Sequence, residues 1–530
     1  MAESSGSLAT FDFTIRNDKS VPVDIFLVDR RTLVENFRQT VQAGASVAMR
    51  SVETDTWVAR IGGRKVACHT VYSPSLHWRL YEDSLEALPE CTFVIENRRL
   101  ETVDIYRMRR DGLSSLKQKS VNPGVTAVQE SYEGERWVAK VGNEEISVYR
   151  VTPRVPLWAI TNAVTGFVPA MPIGANSHLN EAPATQYPLY QMAVGEVTAA
   201  MVFVEFPDAR GTDTVDNVAA HIVGEASAWY KTESYGRLKF SVETVGNWRM
   251  MPAGAPSYNA IKTDWAAHRD YISTALKLVP AAETDFDKYN IAYVVAAKTA
   301  AGVLDNSPTL SAGIEVPTNR GTVHHAVTFG SDSYDRSYNV LLHETGHLMG
   351  LPDLYTFSTP YPDLMRPASA WDIMCHLDLG RHFLGWHKYK LGWLDESQLL
   401  YVKSGEVSAL LHPFESSYGV KLIAVAGSSA SQLYVVEIAQ SLGADAEWKD
   451  KGILIYTVDA AVPTGHNPVC VVSGPDRAPT PDEITAYGIL SRAFLATGRS
   501  QTFDLGHGTK IEIVNEAQRG ARFTVRVARA

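Results

Sequence analysis

Cysteine is scarce: the 530 residues hold four, Cys68, Cys91, Cys375 and Cys470, and none forms a CxxC pair. So few in so long a chain exclude a disulfide-stapled scaffold and lead us to expect free, mostly buried thiols. No apolar run approaches the ~20 residues that a membrane helix needs. The first ten residues, from Met1 to Thr10, carry no basic stretch followed by an apolar one, so no signal peptide is visible. There is no long Lys/Arg run, and the net charge is −10. That balance disfavours nucleic acid and anionic membranes as partners. What is present is ordinary globular composition, 45% hydrophobic and 20% charged. The length exceeds what one core supports and implies several domains.

An internal repeat organises the first third. Phe13, Ile15, Asn17, Val23-Asp24-Ile25, Gly44 and Trp57-Val58-Ala59 return as Phe93, Ile95, Asn97, Val103-Asp104-Ile105, Gly124 and Trp137-Val138-Ala139, always 80 positions later. A register held this long indicates two copies of one domain. Both alternate apolar and polar residues, the period of strands with one buried face. The strand pattern and the Trp-Val-Ala ending resemble the β domain of the von Hippel–Lindau tumour-suppressor protein. That resemblance implies a binding module for a protein or glycan ligand. A stabilising or spacing role is the other reading.

The expected architecture is multidomain α+β. Two all-β sandwich repeats (1–85 and 86–152) are followed by a linker or wrapping segment (153–194). A domain alternating strand and helix (195–400) precedes an all-β sandwich domain (401–530). In the 195–400 region Ala199–Phe206 reads as a buried strand and Asn217–Tyr230 as one helix. Leu238–Val245, Asn290–Ala296 and Val323–Phe329 read as further strands, the last open to an extended peptide by strand addition. His324 and His325 within it read as cleft-edge or core residues.

The chemistry concentrates in His343-Glu344-Thr345-Gly346-His347-Leu348-Met349-Gly350-Leu351-Pro352-Asp353. Ser337 is the expected helix N-cap. Residues four apart stack on one helical face, so His343 and His347 point two imidazoles at one ion. Glu344, beside them, is placed as general base toward an attacking water. Gly350 permits the positive φ that ends a helix sharply and turns the chain back. Asp353 is then either the third ligand or a capping or calcium-binding carboxylate. By composition a chance HExxH arises roughly 0.03 times in such a chain, and the full spacing with Gly350 and Asp353 about once in ten thousand.

These segments carry a family resemblance. Val202 to Asp208, Trp229 to Gly236, His343 to Tyr355, Trp371-Asp372-Ile373-Met374 and Gly385 to Leu394 are similar to the immune inhibitor A family of metzincin-like zinc metalloproteases. The resemblance implies a zincin-type fold and a secreted zinc endopeptidase. It implies zinc on His343, His347 and Asp353, Met374 in the Met-turn beneath the metal, and structural calcium, for which Asp208 is a candidate ligand. Cys375-His376 departs from the small residues usual after that turn. His376 either takes the oxyanion-stabilising part that a Tyr plays in relatives or is a surface histidine.

Overall fold

The computed structural model describes the chain apart from residues 1–9, 29–34, 53–54, 72–76, 81–89, 109–114, 154, 174–178, 183–189, 311–314, 361–362, 379–381, 416–418, 440–451, 473–500 and 518–521. Alternation of apolar and polar residues dominates the pattern, and the fold is accordingly mostly β, in several separate sheets. Among the described residues no helix is long and apolar enough to cross a membrane.

The repeat is kept strand by strand. Thr10–Asn17, Val23–Val28, Glu35–Val41, Ser46–Val52, Thr56–Ile61, Arg64–Thr70 and His77–Leu80 each recur 80 residues on, ending with Leu157–Ile160. The last strand pairs in parallel with Val94–Asn97, so the second copy runs past the expected boundary at 152. Each copy has its own core, around Trp57 in one and Trp137 in the other. Both tryptophans donate Nε1–H to a buried serine, Ser51 or Ser131, at 2.9 Å. Cys91 is disulfide-bonded, which corrects the expectation of free thiols. The Cys68 side chain lies outside the described residues, and Cys375 and Cys470 are free.

Residues 195–398 form a five-stranded sheet with helices against it. In spatial order its strands are Leu238–Met250, Gly195–Glu205, Ile291–Ala296, Ala326–Phe329 and Thr309–Leu310; only the last runs antiparallel to its neighbour. The Val323–Phe329 expectation is therefore corrected in two respects. The strand is shorter, and Thr309–Leu310 already occupies its outer side, so among the described residues the edge of the sheet belongs to that two-residue strand. The single helix expected over Asn217–Tyr230 is two helices, Val215–Val223 and Ala226–Glu233. Gly224 breaks it at φ 43°, where the Tyr338 ring comes so close that a Cβ would lie 2.7 Å from it.

Beyond 400, the described residues hold strands and no helix. One face of this sheet joins the core beneath the His-rich helix through Leu422, Val435, Tyr456 and Val469. The same sheet continues from the Leu399–Leu411 strand into Arg522–Arg529 and Thr509–Ala517, which close a core over its other face. The 153–194 segment is woven in: Val164–Gly166 pairs with residues of the Leu399–Leu411 strand, and Glu181 is fully buried.

Candidate metal centre

The Tyr338–Leu348 helix carries His343, Glu344 and His347. Packing, not capping, holds it. Every residue from Val340 to Leu348 is buried, and a helix buried all round is stabilised by its contacts. Ser337 occupies the N-cap position, but its side chain makes no cap bond; its hydroxyl goes to the His221 carbonyl instead. On the sheet side Tyr293 and Thr345 share a 2.6 Å hydroxyl bond. At the other end Gly350 takes φ 89°, and its Tyr190 neighbour leaves no slack for a side chain.

After that turn Asp353 comes back to the histidines. Its Oδ1 lies 3.2 Å from His343 Nε2 and 3.2 Å from His347 Nε2, and the two Nε2 atoms are 3.1 Å apart. The ring tautomers follow from the backbone. His343 Nδ1 faces the Ile373 carbonyl at 2.9 Å and His347 Nδ1 faces the Leu351 carbonyl at 2.8 Å. With both Nδ1–H groups donating there, both Nε2 lone pairs aim at one point. Asp353 Oδ1 is buried and has no hydrogen-bond partner. Three such atoms this close repel one another unless a positive charge, a metal ion or a proton, sits among them.

The spacing fits such an ion. Ligands ~2.0–2.1 Å from a tetrahedral centre are about 3.3–3.4 Å apart, close to what the three atoms show. The buried His343, His347 and Asp353 group can therefore hold a metal ion, and among the described residues it is the one cluster of three such side chains that can. Asp208 lies outside this cluster, and its Oδ1 accepts the Ala255 N–H at 2.8 Å.

Charge and burial act together here. Burial alone would depress His347; the Asp353 carboxylate outweighs it and lifts the imidazole to about 9. Burial would raise Asp353, but the histidines hold it well below the usual carboxylate range. Burial pushes Glu344 up to about 7 against the pull of both imidazoles.

The segment from Trp371 to Met374 lies against the helix. A Cβ on Gly346 would stand 2.7 Å from Met374 Sδ, so the missing side chain is what admits the methionine. Asp372 ties the turn together, accepting from Met374 N at 2.7 Å and Leu384 N at 2.8 Å. It also contacts His387 Nδ1 at 2.7 Å, and Glu181 takes the other ring nitrogen at 2.7 Å. Lys390 donates to the Asn180 and Gly350 carbonyls beside them.

No protein-family model and no curated protein matches this chain. The site rests on its own geometry.

A cleft of about 700 Å³ opens over it, lined among others by His343, Glu344, His347, Asp353, Tyr355 and His376. His376 is 6% exposed, which corrects its reading as a surface histidine, and its Nδ1 is buried without a partner. His324 and His325 are not in the cluster. Sequence reasoning missed Thr464, whose hydroxyl accepts the Asp353 N–H at 2.8 Å, as well as the Glu181–His387–Asp372 chain. It also missed Tyr355, whose hydroxyl bonds Asp353 and whose pKa burial pushes far up.

Proposed function

We propose that the chain is a zinc-dependent endopeptidase with a zincin-type catalytic domain, of the immune inhibitor A type that its motifs resemble. The observation that carries the proposal is the convergence of His343 Nε2, His347 Nε2 and Asp353 Oδ1 on one point beside Glu344. Two imidazoles and one carboxylate are a donor set that zinc accepts while keeping a fourth position open for catalysis. Bound there, the ion would supply a Lewis acid for the scissile carbonyl and lower the pKa of water toward ~7.

The chain's own residues do the rest. Glu344 takes the proton of the attacking water and returns it to the leaving amine. Its raised proton affinity suits a group that must both accept and release. The buried, unpartnered Nδ1 of His376 is the candidate donor to the developing oxyanion. An extended peptide is proposed to pair along the outer side of Thr309–Leu310, which borders the cleft through Ser307, Pro308 and Thr309. The disulfide at Cys91 supports an oxidising, extracytoplasmic setting.

The test is a digest of end-blocked peptides by the full chain, with chelator, with restored zinc, and with Glu344→Gln. We expect cleavage that chelator stops and zinc restores, and a fall of at least ~10²–10⁴-fold in Glu344→Gln with zinc still bound. Full activity in the Glu344→Gln protein would sink the general-base assignment. Cleavage restricted to peptides with a free amino terminus would mean an exopeptidase. Stoichiometric zinc without any cleavage would mean a binding protein.

A further inference from the structure

We propose that Thr464, in the loop between the Gly452–Asp459 and Val469–Val471 strands, is a positioning residue that sets which oxygen Asp353 offers to the metal. The inference rests on the reading of His343, His347 and Asp353 as a metal centre.

The loop belongs to the C-terminal sheet, 111 residues from Asp353 along the chain. It grips the segment after the His-rich helix at successive points. The Thr464 hydroxyl accepts the Asp353 N–H at 2.8 Å and donates to Asp353 Oδ2 at 3.4 Å. Gly465 N–H donates to the Asp353 carbonyl at 3.0 Å, and Phe357 N–H donates to the Gly465 carbonyl at 3.0 Å. The Phe357 ring lies on Gly465 so closely that a Cβ there would be 2.3 Å from it. Further on, Thr356 Oγ1 bonds Asn467 Oδ1. These contacts form a short two-stranded clamp whose first rung is the ligand residue itself.

One hydroxyl has one proton and two lone pairs, and both functions are spent on the same residue. Fixing the Asp353 N–H orients its backbone after the Gly350 turn. Engaging Oδ2, together with the Tyr355 hydroxyl that also bonds Asp353, holds the carboxylate with Oδ1 toward the imidazoles. That division agrees with Oδ1 being the buried oxygen that has no hydrogen-bond partner. Groups that hold a ligating carboxylate in this way commonly set metal affinity. The C-terminal sheet is thus part of the metal centre.

The experiment measures zinc affinity of the full chain by chelator competition, for wild type, Thr464→Val and Thr464→Ser, together with the visible spectrum of the cobalt-loaded proteins. Valine keeps the shape and removes both bonds; serine restores the hydroxyl. We expect Thr464→Val to bind zinc about 10–100-fold more weakly with an altered cobalt spectrum, and Thr464→Ser to stay within about threefold of wild type. A merely structural role would lower metal-free melting without a selective loss of zinc. If Thr464→Val does not fold, Thr464→Ala takes its place with the same expectation. Wild-type zinc affinity in the valine or alanine protein, or a serine protein as weak as either, would overturn the assignment. Failure of the wild type to bind zinc is a distinct outcome, which removes the metal centre itself.

Discussion

Replacing Glu181 by Gln should loosen the floor of the site from a position far away in sequence. His387 stands between two carboxylates, with 2.7 Å to Glu181 and 2.7 Å to Asp372, and all three side chains are 0% exposed. Both ring nitrogens face an acceptor, so the imidazole is doubly protonated. Burial opposes that charge, and the two carboxylates overcome it, lifting His387 to about 10. Burial acts to raise Glu181, but His387 and Lys390 hold it below its ordinary value. Removing one partner of a buried ion pair costs ~3–5 kcal/mol. Asp372 still pairs with His387 in the variant, and a Gln oxygen still accepts from Nε2–H, so we take the low end, about 3 kcal/mol.

Amide hydrogen exchange in the Gly385–Lys390 helix and at 371–376 reads the loss locally. About 3 kcal/mol is roughly a hundredfold faster exchange. The pH dependence follows from the two shifts. His387 binds its proton more tightly folded than unfolded, so its contribution is whole below about pH 6.5 and fades as pH climbs toward 10. Glu181 binds its proton less tightly folded, so its contribution is present above 4.5 and fades below. The gap between wild type and variant should be widest from about pH 4.5 to 6.5 and narrow at pH 9. Protection equal to wild type at pH 6, or a gap that widens on the alkaline side, would refute the reasoning.

Further outcomes are expected. His343→Ala should purify without zinc, and stoichiometric zinc by elemental analysis would contradict its place as a ligand. Gly350→Ala must hold an alanine at φ 89° with the Tyr190 ring 3.3 Å from its Cβ. It should lose ~1–2 kcal/mol in a denaturation series and bind zinc more weakly. Ser131→Ala strands the buried Trp137 Nε1–H and should cost ~1–3 kcal/mol in the unfolding of the second β copy. An unchanged midpoint would show that the indole finds another acceptor.

What the sequence made legible is what short spacings encode. His343 and His347 share a face because a helix repeats every 3.6 residues, and Gly350 marks its own turn. The two sandwiches were readable because the same letters recur 80 positions on. The unread parts are contacts between distant segments. Nothing near Asp353 signals Thr464, and nothing near His387 signals Glu181 in a stretch read as a linker or wrapping segment. The sheet edge was misplaced because Thr309–Leu310 is two residues long, too short for any period. Gly224 split one expected helix into two because apolar spacing continues across the break. The choice between a surface and a cleft reading of His376 stayed open because a lone histidine carries no burial signal.

Strand-for-strand equivalence of the two sandwiches has a consequence for how the chain reaches its shape. Thr10–Asn17 and Glu90–Asn97 offer the same Phe-x-Ile-x-Asn edge to a partner strand, so during folding each fits the other's slot, the route by which tandem repeats misassemble. Cys91 breaks that equivalence: 80 residues before it stands Phe11. A chain that traded these strands would carry Cys91 into the wrong sandwich, and refolded material with this thiol open to alkylation would report the exchange.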